Sequence, residues 1–135
     1  MKRTYIDSGV LIEAVRGTNA VALKARRIIT DTNREFASSI FVKLEVIPKA
    51  TYYKNAAEVA FYERFFNSVV HWAHPDDRLM QAAYQHACDF NMAAIDALHV
   101  AAAISVGAEE LITTEKLNRP IHRATGITVV SIQPA

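Results

Sequence analysis

Residues 4–15 read TYIDSGVLIEAV, and the fold turns on how this stretch divides. Thr4, Tyr5 and Ile6 are good strand formers, so Arg3–Ile6 reads as a short, mostly buried strand. From Ser8, a suitable N-cap, Val10, Leu11, Ala14 and Val15 recur at helical spacing until Gly17 stops them. Asp7 stands at the handover. An acid there either caps the helix or is aimed by the rigid strand end at something beyond it.

The rest of the chain repeats the alternation. Thr18 or Asn19 can cap a second helix running to about Asp31, and Glu35–Ser38 reads as a second strand. Ser38 or Ser39 caps the stretch IFVKLEVIPKATYY, in which Pro48 predicts a kink or break because it lacks an amide donor and clashes with the preceding turn. Asn55 restarts a helix, VVHWAH reads as a third strand, and Pro75-Asp76-Asp77 suits a first helical turn. MAAIDALHVAAAIS predicts a strong helix closed by Gly107, followed by strands through Leu111–Thr113 and ITVVSI. Short strands alternating with long helices imply a parallel sheet covered on both faces, an α/β fold. No linker, repeat or low-complexity segment divides the chain, so residues 1–135 read as one domain.

Composition narrows the function. A 51% hydrophobic content supplies a core, and 15 basic against 14 acidic residues leave a net charge of +1, so a polyanion site would have to come from local clustering. The lone Cys88 excludes an intramolecular disulfide, fits a reducing cytoplasm, and in its Ala-rich setting reads as a small buried thiol. Asp7 and Glu13 interrupt the first apolar run, against a signal peptide or membrane span.

In open parallel sheets, ligands gather beyond the carboxyl ends of the strands. Asp7 and Glu115 both fall at such ends. Asp96 lies among Ala, Ile, Leu and Val, and Glu45 among Phe41, Val42, Leu44, Val46 and Ile47, surroundings in which an acid needs a partner. Each also has a plainer reading: Asp7 as a helix cap, Glu45 paired with Lys49, Glu115 as a loop acid, Asp96 bonded to backbone.

The ordered set YIDSGVLI, SSIFVKLEVIPKA and IDALHVAAAISVGAEELITTEK resembles the PIN-domain ribonucleases, and among them the VapC-type toxins of toxin–antitoxin pairs, over essentially the whole chain. The resemblance implies a three-layer α/β/α sandwich with a five-stranded parallel sheet in the order 3-2-1-4-5. Position by position it assigns Asp7, Glu45 and Asp96 to the family's acids. The fourth, usually Asp, falls at Glu115, a departure that assigns it an outer-shell water or a second ion. Clustered carboxylates repel one another, so the resemblance implies Mg²⁺ or Mn²⁺ held by Asp7, Asp96 and Glu45 for phosphodiester hydrolysis. Ser8 and Thr114 can support ligands or phosphate oxygens, and turn or cap roles suit them equally. The implied partners are single-stranded or loop RNA, a small antitoxin covering the cleft, and a second copy of the chain.

Phosphates would meet cations drawn from Arg16, Lys43, Lys49, Lys116, Arg119 and Arg123, and bases could stack on Tyr52 or Tyr53. His71 and His74 lack the companions of a zinc set. His99 follows Asp96 by one turn on the same face, within reach of the acids, with packing or hydrogen bonding its plainer role. The Phe61, Tyr62, Phe65 and Phe66 cluster is one that a single core can largely absorb. Two alternatives compete: a catalytically degenerate PIN-like binding module, to which Glu115 lends weight, and an aspartyl phospho-acceptor domain, against which Asp7-Ser8-Gly9 lacks a second acid two residues on.

Overall fold

A computed structural model describes residues 1–134. The chain runs β1 (Lys2–Ile6), α1 (Ser8–Arg16), α2 (Ala20–Ile29), β2 (Arg34–Ser38), α3 (Ile40–Tyr52), α4 (Ala56–Ser68), β3 (Val69–Trp72), α5 (Asp77–Phe90), α6 (Ala94–Ser105), β4 (Glu110–Thr113), a 3₁₀ turn (Pro120–Arg123) and β5 (Thr128–Ser131). The five strands form one parallel sheet in the order β3-β2-β1-β4-β5.

β1 is the central strand. It pairs with β2 from Lys2↔Arg34 to Tyr5↔Ala37 and with β4 from Thr4↔Glu110 to Ile6↔Ile112. Successive side chains point to opposite faces, yet Thr4, Tyr5 and Ile6 are all fully buried, so helices cover both sides. Because every strand is parallel, all carboxyl ends share one edge. There β1 hands over to Asp7 and β2 to Ser39, while β3 ends at Trp72 and β4 at Thr113.

Local chemistry sets most boundaries. The side chains of Asn19, Asn55 and Asp76 accept hydrogen bonds from the amides of Ala22, Glu58 and Leu79, capping α2, α4 and α5. Asp76 is therefore the N-cap, and α5 starts at Asp77, two residues after the Pro75 start that the sequence predicts. Gly107 takes φ +68° just past α6, a conformation glycine adopts without a Cβ clash.

Three expectations change. Of the kink or break expected at Pro48, the break is absent: α3 runs continuously from Ile40 to Tyr52 through the proline. Pro48 and Leu44, whose carbonyl loses its helical donor, are both exposed, so water can satisfy that oxygen. Cys88 is exposed, because α5 is a surface helix that buries Leu79 and Ala83 and turns Cys88 outward. Asp7, not Ser8, occupies the N-cap position of α1, and its side chain makes no cap hydrogen bond. The aromatic cluster enters the core as expected: Tyr62, Phe65 and Phe66 are buried and Phe61 partly so.

Candidate active site

Three segments deliver acids to the carboxyl edge. The Asp7 backbone is fixed by its amide, which donates to the Ile112 carbonyl at 2.9 Å, continuing the β1–β4 ladder past the last strand residue. The carboxylate, left free of capping, accepts from the Thr113 hydroxyl at 2.7 Å. α1 starts close against this edge: a Cβ on Gly9 would stand 2.3 Å from Thr114 Oγ1, so any larger residue requires the Thr114 hydroxyl to turn away. Thr114 thus lies against Gly9, and it is Thr113 that holds Asp7.

Glu45 comes from α3 and Asp96 from the first turn of α6. Glu45 Oε1 accepts from the Ser8 hydroxyl at 2.7 Å and meets His99 Nε2 at 2.5 Å. His99, only 1% exposed, also stands 3.6 Å from Asp7 Oδ1. Its other nitrogen, Nδ1, lies 2.9 Å from the Tyr5 hydroxyl, which contacts Ser39 Oγ at 2.7 Å. Ser39 occupies the N-cap of α3 without a side-chain cap bond. Single donor atoms of Asp7, Glu45 and His99 all lie within 4.8 Å of one another.

The charge balance is unlike that elsewhere in the fold. At the opposite, amino edge of the sheet, buried Glu110 is met by Arg34 and by Lys2 at 3.6 Å. Buried Glu58 is held by Arg16 at 2.5 and 3.0 Å. Among the described residues no Lys or Arg pairs with Asp7, Glu45 or Asp96, and His99 alone can offset them. Burial, with the charges of Asp7 and Glu115, pushes the Asp96 carboxyl up to about 6. Burial pushes Glu45 upward too, but hydrogen bonds from His99 and Ser8 and the charge on His99 bring it below its ordinary range. His99 is pulled down by burial and raised further by Glu45, Asp7 and Asp96, so its imidazolium is favoured overall.

The chain matches the PIN domain model over residues 4–117. It belongs to the PIN-domain family. Among solved structures this PIN domain is similar to VapBC2 of Rickettsia felis, solved on a DNA fragment from its promoter (12% identity, TM-score 0.72, 96% of this chain and 98% of that one). It is similar also to a toxin–antitoxin complex from Klebsiella pneumoniae (17%, 0.72, 98% and 99%). A third is VapC20 of Mycobacterium tuberculosis, described as a sarcin-ricin loop cleaving toxin (17%, 0.64, 80% and 86%). At these identities the likeness is one of fold. No curated protein matches the chain in sequence.

The remaining positions singled out from the sequence have settled surroundings. Glu115 lies in the loop after β4 and pairs with Arg119 at 3.5 Å, with its amide bonded to Thr113 Oγ1 at 3.1 Å. Its charge reaches Asp96. Of the candidate phosphate-binding cations, Arg16 is committed to Glu58, Arg119 to Glu115, and Arg123 donates to the Phe90 carbonyl at 3.3 Å. Lys43 stands over the faces of Trp72, at 4.9 Å, and Phe66, at 5.4 Å. Tyr52 and Tyr53 are exposed and meet edge to face. His71 lies 3.5 Å from Glu35, away from the acids. Nothing in the sequence marks Thr113 or Tyr5 as part of the site, Ser39 reads there only as a helix cap, and packing or hydrogen bonding is the plainer role it gives His99. Only the i, i+3 spacing of Asp96 and His99 signalled that the imidazole shares the site. No described helix is long and apolar enough to cross a membrane.

Proposed function

We propose that this PIN domain is a metal-dependent endoribonuclease that hydrolyses phosphodiester bonds in single-stranded or loop RNA and serves as the toxin of a toxin–antitoxin pair. The observation that carries the reading is the convergence of Asp7, Glu45 and His99, whose donor atoms lie within 4.8 Å of one another, with Asp96 near enough to feel the charges of Asp7 and Glu45 and no Lys or Arg among the described residues paired with these acids. Its support is the PIN family, whose nucleases use divalent metals, and the fold shared with VapC toxins solved beside their antitoxins.

The donor set fits a hard divalent cation. Carboxylate oxygens predominate, one imidazole joins them, and the donor atoms spread over little more than the roughly 4.2 Å between opposite ligands in six-coordination at about 2.1 Å. Asp7 and Asp96 would be the principal ligands, with Glu45 a further ligand or a base acting through water. Glu115 would hold an outer-shell water or a second ion. A bound Mg²⁺ or Mn²⁺ supplies Lewis acidity, lowering the pKa of an attacking water and offsetting charge on the phosphate. Thr113 fixes the direction of the Asp7 carboxylate. Without the ion Ser8 and His99 both meet one Glu45 oxygen, and Ser8 alone can keep that hold with the ion in place, leaving the other oxygen to accept a proton from water. Thr114, at the same edge, would face phosphate oxygens.

RNA would approach over the carboxyl edge, where Lys43 and Lys116 would supply charge, whereas Lys49 stands near Glu58, and a small antitoxin would cover the same edge. We place the protein in the cytoplasm, where the exposed Cys88 thiol stays reduced, and as a homodimer, to be checked by light scattering. One observation favours the rival reading of a binding-only PIN domain: Glu115 stands where the family carries Asp and is paired with Arg119.

The deciding experiment is cleavage of mixed structured and unstructured RNAs with Mg²⁺ or Mn²⁺, beside EDTA and the Asp7→Asn and Asp96→Asn variants. Cleavage that needs the metal and both acids establishes the nuclease. Folded, metal-loaded protein that binds RNA without cutting any of it favours the binding module.

A further inference from the structure

The acids of this site are not its only donors. His99 is as buried as any core residue, yet it touches two carboxylates through Nε2 and a tyrosine through Nδ1. A packing histidine needs neither contact. The pairing of ring nitrogens is that of a metal-ligating imidazole, in which one nitrogen faces the ion and the other donates to a fixed acceptor that sets the tautomer and ring orientation.

We propose that His99 Nε2 is itself a ligand of the divalent ion, completing the set begun by Asp7 and Glu45, and that this nitrogen biases the site toward Mn²⁺ over Mg²⁺. The inference rests on the metal-dependent reading above and specifies its ligand chemistry. With Nε2 turned to the ion, Nδ1 carries the ring proton and donates it to the Tyr5 oxygen. Tyr5 in turn donates to Ser39 Oγ, 2.7 Å away. Burial holds the Tyr5 phenol well above its ordinary range, so it keeps the proton this chain needs. Ser39 occupies a helix N-cap and makes no side-chain cap bond, leaving its hydroxyl to anchor the tyrosine. Every member of the chain is buried and satisfied. Without the ion, Nε2 bonds Glu45 instead, so the ring keeps its place in both states.

The selectivity follows from donor type. Mg²⁺ is best served by oxygen and parts reluctantly with water, whereas imidazole nitrogen is an ordinary ligand for first-row transition ions. Exchanging one oxygen for Nε2 therefore penalises Mg²⁺ relative to Mn²⁺.

The test is electron spin-echo envelope modulation of Mn²⁺ bound to the full chain, with titration calorimetry of Mn²⁺ and Mg²⁺ on wild type, His99→Asn, Tyr5→Phe and Asp7→Asn. Expected is modulation from a directly bound imidazole nitrogen that changes on ¹⁵N-histidine labelling and is lost in His99→Asn. That variant should weaken Mn²⁺ by about 10-fold or more while changing Mg²⁺ by about twofold at most, and Tyr5→Phe should weaken Mn²⁺ by about 10-fold. Should His99→Asn fail to fold, the labelled wild-type spectrum still decides. Asp7-dependent Mn²⁺ binding without a nitrogen signal overturns the proposal and leaves the metal-dependent reading standing. Absence of any Asp7-dependent Mn²⁺ site overturns both.

Discussion

Thr113 and Asp7 are joined by a buried hydrogen bond, Oγ1 to Oδ2 at 2.7 Å, across the carboxyl ends of two neighbouring strands. The same oxygen of Thr113 accepts from the Glu115 amide at 3.1 Å, so one hydroxyl ties the loop carrying the fourth acid to the first. Asp7 sits at the N-cap of α1 and does not cap it, because its carboxylate is turned toward Thr113 and His99.

Thr113→Val keeps the shape of the side chain and removes the donor. The buried Asp7 oxygen then loses its partner, which should cost about 1–3 kcal/mol in denaturant unfolding of the metal-free protein. Mn²⁺ affinity by calorimetry should fall about 10–100-fold, because the ligand is no longer oriented. An unchanged affinity would mean that Asp7 is aimed by the strand end alone.

Asp96 yields a pH-dependent prediction. Its folded value, about 6, lies above the ordinary 3.8, so folding favours the protonated form. The native state enjoys that preference below about pH 4 and loses it as pH rises through about 6. Asp96→Asn should therefore raise the melting temperature of the metal-free protein at pH 8 by about 3–5 °C and leave it unchanged at pH 4. Saturating Mn²⁺ should reverse the order at pH 8, since only the wild-type chain gains from tight binding. A variant no more stable than wild type at pH 8 without metal would show that Asp96 escapes the repulsion of Asp7 and Glu115.

What the sequence made legible was periodicity within elements. The β1–α1 handover, the Ala-rich α6 and the strand that follows it are written in local alternation and spacing, and together they place Asp7 and Asp96 at one edge. Register between distant strands is not local. Asp7 meets Thr113 rather than Thr114 because Ile6 pairs with Ile112, and nothing in either segment encodes that offset. Helical spacing put His99 on the face of Asp96, but that it meets Glu45 depends on how α6 packs beside α3. Glu58 and Arg16, 42 residues apart, pair for the same kind of reason, which removes Arg16 from the free cations.

Pro48 shows the opposite failure, a strong local signal overridden by context. An exposed proline inside a helix removes one amide donor, and here the deprived Leu44 carbonyl faces water. The helix survives at a cost. Pro48→Ala restores the donor, and after allowing for the greater freedom of alanine in the unfolded chain it should stabilise the protein by about 1–2 kcal/mol in urea unfolding. A neutral or destabilising result would mean that the proline ring packs against a neighbour or a second copy of the chain.

Lys43 and Trp72 offer a test of the RNA path proposed above. Trp72 ends β3 at the carboxyl edge, is 41% exposed, and is the chain's single tryptophan, so all tryptophan emission reports this spot. Lys43 stands 4.9 Å over its ring and has no carboxylate partner among the described residues. In an Asp7→Asn background, chosen because the proposed mechanism needs that acid, single-stranded RNA should quench the emission. Lys43→Ala should lower affinity and reduce the slope of log affinity against log salt by about 0.7, the share of one phosphate contact on a single strand. Quenching with an unchanged slope would make Trp72 a stacking surface and Lys43 its packing partner only. A change in neither would move the RNA path to the far side of the cleft, past Lys116 and the loop after β4.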